Sequence, residues 1–129
     1  MMKKLIPLVL SALLFTGCSG TKSANAYRSV GMDEATAIMA RESGYIILDV
    51  RRADEFAAGH IPNAVHVANE SIGTEAIPEL PDKDQLILVY CRSGRRSKEA
   101  AEKLAGLGYT NIVEFGGILD WKGETVTGA

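Results

Sequence analysis

From about Ser29 onward, short apolar runs alternate with stretches whose apolar positions recur at helical spacing, a pattern that predicts βα units around a mainly parallel sheet. Gly31 to Ser43 carries Asp33 and Glu34 in its first turn, Ile38 and Met39 on one face and Gly44 after its end, and so predicts a helix. Tyr45 to Val50 (YIILDV) is short and rich in β-branched residues, which makes it a buried strand. Ala53 to Ala58 predicts a short helix stopped by Gly59, after which Ile61-Pro62-Asn63 turns the chain into a second strand, Ala64 to Val67. Ser71 to Leu80 is a weaker helical stretch, broken by Pro78 and Pro81. Gln85 to Tyr90 (QLILVY) is the strongest strand and is expected near the sheet centre. Ser97 to Leu107 spaces Ala100, Ala101, Leu104 and Leu107 for a helix that stops at Gly108. Ile112 to Phe115 gives a last short strand, and Gly117 to Lys122 a last helical turn.

The 129 residues hold one ordinary domain, and a composition 47 % apolar and 23 % charged is that of a globular chain. Two cysteines without a Cys/His cluster exclude a disulfide scaffold and a four-ligand zinc site, and no metal is expected. Fourteen Lys and Arg stand against sixteen Asp and Glu, so the summed field gives no reason to expect nucleic acid as a partner.

The first residues stand apart. Residues 1–17 read as an export signal, with Lys3 and Lys4 ahead of the apolar run Leu5 to Phe15 and small residues after it. The run is too short to span a bilayer as a stable anchor. Leu14-Phe15-Thr16-Gly17-Cys18 also resembles the bacterial lipoprotein signal, although Phe15 stands where that pattern usually has Leu. The resemblance implies cleavage before Cys18, acylation of Cys18, and a cell-envelope protein outside the cytoplasm, held to a membrane by lipid. Residues 18–28 then form a small, polar tether, 29–124 the folded domain and 125–129 a tail. With Cys18 lipidated, Cys91 has no partner within the chain in a compartment that permits disulfides.

Cys91-Arg92-Ser93-Gly94-Arg95-Arg96-Ser97-Lys98 places one thiol among four cations at the junction of a strand and a helix. Ligands collect at the carboxyl ends of strands in open α/β sheets. Gly94 permits a curled backbone whose successive N–H groups form an anion nest, Ser97 is expected to cap the helix, and the helix dipole adds positive charge at the same point. Together these favour a reactive thiolate at Cys91. A cysteine closing an apolar strand is more often a small core residue, and arginine runs are usually solvated surface; the conjunction of strand, thiol, cationic loop and helix is what points to chemistry. Cysteine-dependent phosphatases use Cys-x5-Arg loops. Here the arginines stand one, four and five places after Cys91 and the sixth place is Ser97, so the smaller ring suits a single sulfur atom better than a phosphoryl group.

These residues resemble the rhodanese family of sulfurtransferases. The likeness is carried by Ile47-Leu48-Asp49-Val50-Arg51, Glu55-Phe56 with Gly59-His60-Ile61-Pro62-Asn63-Ala64, Val89 to Ser97, and Gly116-Gly117 with Trp121, in family order. Arg52-Ala53 replaces the common Thr-Pro, and Asn63 the common Gly. The resemblance implies an α/β fold with a central, mostly parallel five-stranded sheet flanked by helices. It also implies sulfur transfer in two covalent steps: Cys91 takes the outer sulfur of an anionic donor such as thiosulfate, and a thiol, a cyanide-like acceptor or a protein acceptor removes it. The amides of Arg92, Ser93, Gly94, Arg95 and Arg96 would hold the persulfide, Arg96 would brace the loop, and no cofactor is required. Asp49 and Arg51 either orient a loop cation or form a plain ion pair. His60 and His66 fit turn or packing roles, Trp121 fits the core, and Lys98 is expected to point outward. A module that carries or senses reactive sulfur without turnover is the alternative of another class; a phosphatase or arsenate reductase is a further one.

Overall fold

Every residue of the strand Ile87–Cys91 is buried, as its unbroken apolar run requires of a strand covered on both faces. The computed structural model describes residues 26–129. In chain order its elements are β1 (Arg28–Ser29), α1 (Met32–Arg41), β2 (Ile46–Asp49), α2 (Ala53–Ala58), β3 (Val65–His66), β4 (Ile87–Cys91), α3 (Arg95–Gly106) and β5 (Ile112–Gly117), with single 3₁₀ turns at Asn69–Ser71 and Ile118–Asp120. The five strands form one sheet in the order β1-β5-β4-β2-β3, and every pairing is parallel. β4 is therefore the middle strand, and the expected sheet is present, with no antiparallel strand among the described residues.

Alternation along β4 sorts the core into two layers. Ile87, Val89 and Cys91 face the helix α3, whose Ala100, Ala101 and Leu104 pack on them. Leu88 and Tyr90 face the other way, onto Ala35 and Ile38 of α1, with Val113 and Phe115 of β5 beside them. The thiol thus lies on the α3 side of the sheet, at its C-terminal edge.

Several elements depart from the sequence pattern. The helix expected over Ser71 to Leu80 is absent: after the 3₁₀ turn at Asn69–Ser71 the chain runs through turns, and Ile72, Ile77 and Leu80 plug the α3 layer singly. Gly73 and the proline pair Pro78 and Pro81 deny this stretch a continuous ladder, and its buried positions lack helical spacing. The helix α3 begins at Arg95, two residues ahead of the start expected at Ser97. β5 runs on to Gly117, so the last helical turn shrinks to Ile118–Asp120. The edge strand β1 went unpredicted, being two exposed residues with no apolar signal.

The ends of the described chain are tied down. Tyr27 packs against the α3 layer, and Arg28 pairs with Val113. In the tail, Val126 exchanges backbone hydrogen bonds with His60 (2.8 and 2.9 Å), and the Gly128 amide donates to the Ala57 carbonyl at 2.9 Å. Residues 1–17, read from the sequence as an export signal, Cys18, and the expected tether up to residue 25 lie outside the described residues.

Candidate active site

β4 delivers Cys91 to the C-terminal edge of the sheet, where the chain must turn at once to enter α3. Gly94 makes that turn at φ 123°, a conformation that side chains rarely adopt. The turn brings the Gly94 amide back to Cys91, and it donates to Sγ at 3.0 Å. α3 starts at the next residue, and its first amides have no acceptor within the helix. Cys91 is a free thiol and only 1 % exposed, so the protein and not bulk water sets its surroundings.

The loop rests on β5. β4 and β5 stay in register up to Val89 and Glu114, then slip so that Cys91 pairs with Gly117 and one extra residue bulges from β5. A Cβ on Gly117 would run into the carbonyl group of Arg92, which is why the loop backbone can lie flat on this strand only over a glycine. The Leu119 amide donates to the same Arg92 carbonyl at 3.3 Å.

Ser97 does not cap α3. The residue at the cap position is Gly94, no side chain caps the helix, and Ser97 is its third residue, fully buried. A hydroxyl in the first turn points beneath the loop: Ser97 Oγ lies 2.6 Å from Glu114 Oε2, 3.0 Å from the Gly94 carbonyl and 3.3 Å from that of Gly116. The Cys91 thiol donates to Ser97 Oγ at 3.5 Å. Glu114, on β5, is 1 % exposed and also accepts the Gly116 amide at 2.8 Å and Ser29 Oγ at 2.8 Å. Lys98 is half exposed but does not simply point outward, for its Nζ returns to within 3.6 Å of Glu114 Oε1.

The loop cations separate. Arg96 turns away from the loop to Glu55 of α2, in a two-pronged pair at 2.8 and 3.2 Å. That guanidinium, helped by the Arg52 amide, holds the Glu55 carboxyl down at about 2 against the opposing effect of burial. Arg95 is exposed and pairs with Glu99 one turn along α3. Arg92 and Ser93 are exposed, and among the described residues the Arg92 side chain forms no ion pair. Arg92 borders a shallow cavity of about 360 Å³ shared with Arg51, Glu55, Gly59 and Leu119.

Asp49 and Arg51 pair with each other rather than with a loop cation. Arg51 Nη2 and Nε reach the Asp49 carboxylate at 2.7 and 3.0 Å, both side chains are buried, and Nη2 also donates to the Gly59 carbonyl at 2.7 Å. His66 Nε2 lies 2.7 Å from the Arg51 carbonyl, and His60 stacks on Phe56 at 3.7 Å between ring centres. His66 therefore holds the β2–α2 turn, and His60 the C-terminal end of α2, where its Nδ1 lies 2.8 Å from the Phe56 carbonyl. Trp121 is partly buried against the α1 layer.

Two participants were missing from the sequence-based set. Glu55 was noted as part of a pattern, not as the partner of Arg96, because the pair joins residues 41 positions apart. Glu114 did leave a signal: it is the lone charge in the apolar strand Ile112 to Phe115, where an isolated carboxylate costs much unless partners meet it.

A model of the rhodanese-like domain matches residues 32–124. The chain belongs to the rhodanese-like family. A rhodanese-like chain with a similar sequence is the thiosulfate sulfurtransferase GlpE of Pseudomonas savastanoi pv. phaseolicola, 35 % identical over 107 residues that cover 79 % of this chain and 97 % of the relative. The thiosulfate sulfurtransferase PspE of Escherichia coli is 32 % identical over 57 % of this chain and 70 % of its own length. Only 22 % of the adenylyltransferase and sulfurtransferase UBA4 of Candida albicans is matched, at 33 % identity over 67 % of this chain. Among solved structures, a rhodanese with anions from E. coli superposes with a TM-score of 0.60 at 30 % identity, covering 65 % of this chain and 99 % of that one. At the level of the family, the domain is a rhodanese-like sulfurtransferase.

Proposed function

We propose that the domain moves sulfane sulfur from a small anionic donor, of which thiosulfate is the model, to a thiophilic acceptor through a persulfide on Cys91. The observation that carries this reading is the Gly94 amide donating to Cys91 Sγ at 3.0 Å, inside a loop that ends in the unpaired amides of a helix N-terminus. In the first step the Cys91 thiolate attacks the outer sulfur of the donor, the S–S bond breaks, and sulfite leaves with its electron pair. In the second, a thiolate or cyanide attacks the terminal sulfur and the Cys91 thiolate is regenerated. The Gly94 amide aimed at sulfur stabilises the anion at both stages, as an oxyanion hole does for oxygen. Arg92, exposed and without an ion pair among the described residues, supplies the positive field that draws an anionic donor.

Phosphoryl transfer fits less well. Where a Cys-x5-Arg loop has its arginine, this chain has buried Ser97 bonded to the Glu114 carboxylate, which offers a dianionic phosphoryl group no cation. The lipoprotein-like sequence around Cys18 supports a further part of the proposal: an acylated N-terminus holding the domain at a membrane outside the cytoplasm.

Steady-state transfer from thiosulfate to cyanide tests the catalytic reading. Parallel double-reciprocal lines are expected, the mark of a covalent intermediate, and Cys91→Ser is expected to abolish turnover while leaving thermal unfolding close to wild type. Retained turnover in Cys91→Ser refutes the proposal; a persulfide that forms but does not turn over with any acceptor leaves a sulfur carrier instead.

A further inference from the structure

Glu114 is the carboxylate that shares a hydrogen-bond chain with Cys91, and nothing in packing calls for a charge there. It is 1 % exposed in a strand otherwise apolar around it, a place that a leucine would fill without a desolvation cost. Its partners come from three elements: Ser29 Oγ from β1 at 2.8 Å, Ser97 Oγ and Lys98 Nζ from α3 at 2.6 and 3.6 Å, and the Gly116 amide from β5 at 2.8 Å, while β4 on its other flank presents the apolar Val89. Lys98 is the cation that faces Glu114. On the other side of the chain of contacts, Cys91 is faced by the Gly94 amide and lies within the field of Arg96.

The single proton of Ser97 decides what the chain can do. Three oxygens compete for it, and the carboxylate at 2.6 Å holds the charge-assisted and shortest bond. With that proton committed to Glu114, Ser97 turns a lone pair to Cys91 and accepts the thiol proton at 3.5 Å. The thiol, Ser97 and Glu114 are thereby aligned donor to acceptor, away from bulk water.

We propose that Glu114 is a positioning residue that acts through Ser97 as the sink for the Cys91 proton. The inference rests on the reading of Cys91 as the nucleophile. The S–H bond of Cys91 breaks as its proton passes to Ser97 Oγ, and the proton already on Ser97 passes to Glu114 Oε2. The products are a Cys91 thiolate, a Ser97 hydroxyl that now donates to sulfur, and a neutral Glu114 carboxyl; no electrons are gained or lost and no co-reactant is needed. When the thiolate is re-protonated, the same path runs backwards.

The test is the pH dependence of Cys91 alkylation by iodoacetamide, with Glu114→Gln and Ser97→Ala beside wild type. Gln keeps the shape of Glu but takes no proton, so the alkylation midpoint is expected to rise by about one pH unit, which is about a tenfold slower reaction at pH well below the midpoint, and the rates converge in alkali. Ser97→Ala is expected to give the same rise, Ser97→Thr to restore the wild-type midpoint, and the double variant Ser97→Ala with Glu114→Gln to add nothing to either single change. If Glu114→Gln does not fold, Ser97→Ala decides alone. An unchanged midpoint overturns the proposal, and so does a lowered one, since removing a mere bystander charge would favour the neighbouring thiolate. Alkylation needs no sulfur donor, so it separates this inference from the sulfur-transfer reading: a normal shift without persulfide formation rejects only the latter.

Discussion

Arg96 sits at the hinge between loop chemistry and loop support, because its guanidinium is spent on Glu55 and not on the thiol. Both side chains are about four-fifths covered, so the pair is neither a loose surface contact nor a fully desolvated one, and breaking it should cost about 1–2 kcal/mol. The sign of its pH dependence follows from the Glu55 carboxyl, held at about 2 by Arg96 against an ordinary value of 4.5. A lowered carboxyl contributes its full stability above 4.5 and loses it as pH falls towards 2. Glu55→Gln should therefore unfold earlier in urea at neutral pH, and the gap to wild type should close as the titration approaches pH 2. Because α2 then no longer anchors the start of α3, turnover should fall about tenfold in Glu55→Gln and in Arg96→Ala alike. A loss in Arg96→Ala without one in Glu55→Gln would assign Arg96 to the substrate rather than to the scaffold.

At the level of the elements, the loop depends on how closely β5 approaches it. Gly117 has an extended backbone that any residue could adopt, so its importance lies only in the space that the Arg92 carbonyl occupies. Gly117→Ala should push the loop off β5, displacing Cys91 from its Gly94 donor, with turnover reduced by about 10²-fold and a melting temperature lowered only modestly. An alanine variant of full activity would show that the loop does not need β5 beneath it. The same scale shows what sequence periodicity could reveal. β2, β4 and β5 were legible as short apolar runs of strand length, α1 by apolar residues at helical spacing, and α2 by the glycine that stops it. α3 began earlier than its stripe because Arg95 and Arg96 contribute no apolar signal, although they occupy its first turn. The stretch from Ser71 to Leu80 misled for the opposite reason: Ile72, Ile77 and Leu80 are core residues supplied by turns. Asn63, a departure from the family's glycine, takes φ 71°, which asparagine tolerates better than other side chains, so the turn survives the exchange.

In the whole molecule, the parallel sheet brings together at one edge what is scattered along the chain. Cys91 on β4, Ser97 on α3 and Glu114 on β5 meet there, with Glu55 of α2 beyond Arg96. The cysteine, its glycine turn and the cations were legible because they are consecutive. The pairings of Glu55 and Glu114 were not, since their partners are 41 and 17 residues away and become neighbours only in the folded sheet. The central claim is that Cys91 carries a single sulfur between donor and acceptor. Intact-mass analysis of the purified protein, first after thiosulfate and then after cyanide, tests it most directly. The account predicts the gain of one sulfur atom, absent in Cys91→Ser, and its complete loss to cyanide. An unchanged mass after thiosulfate and other sulfane donors, or an added sulfur that persists in Cys91→Ser, would contradict it.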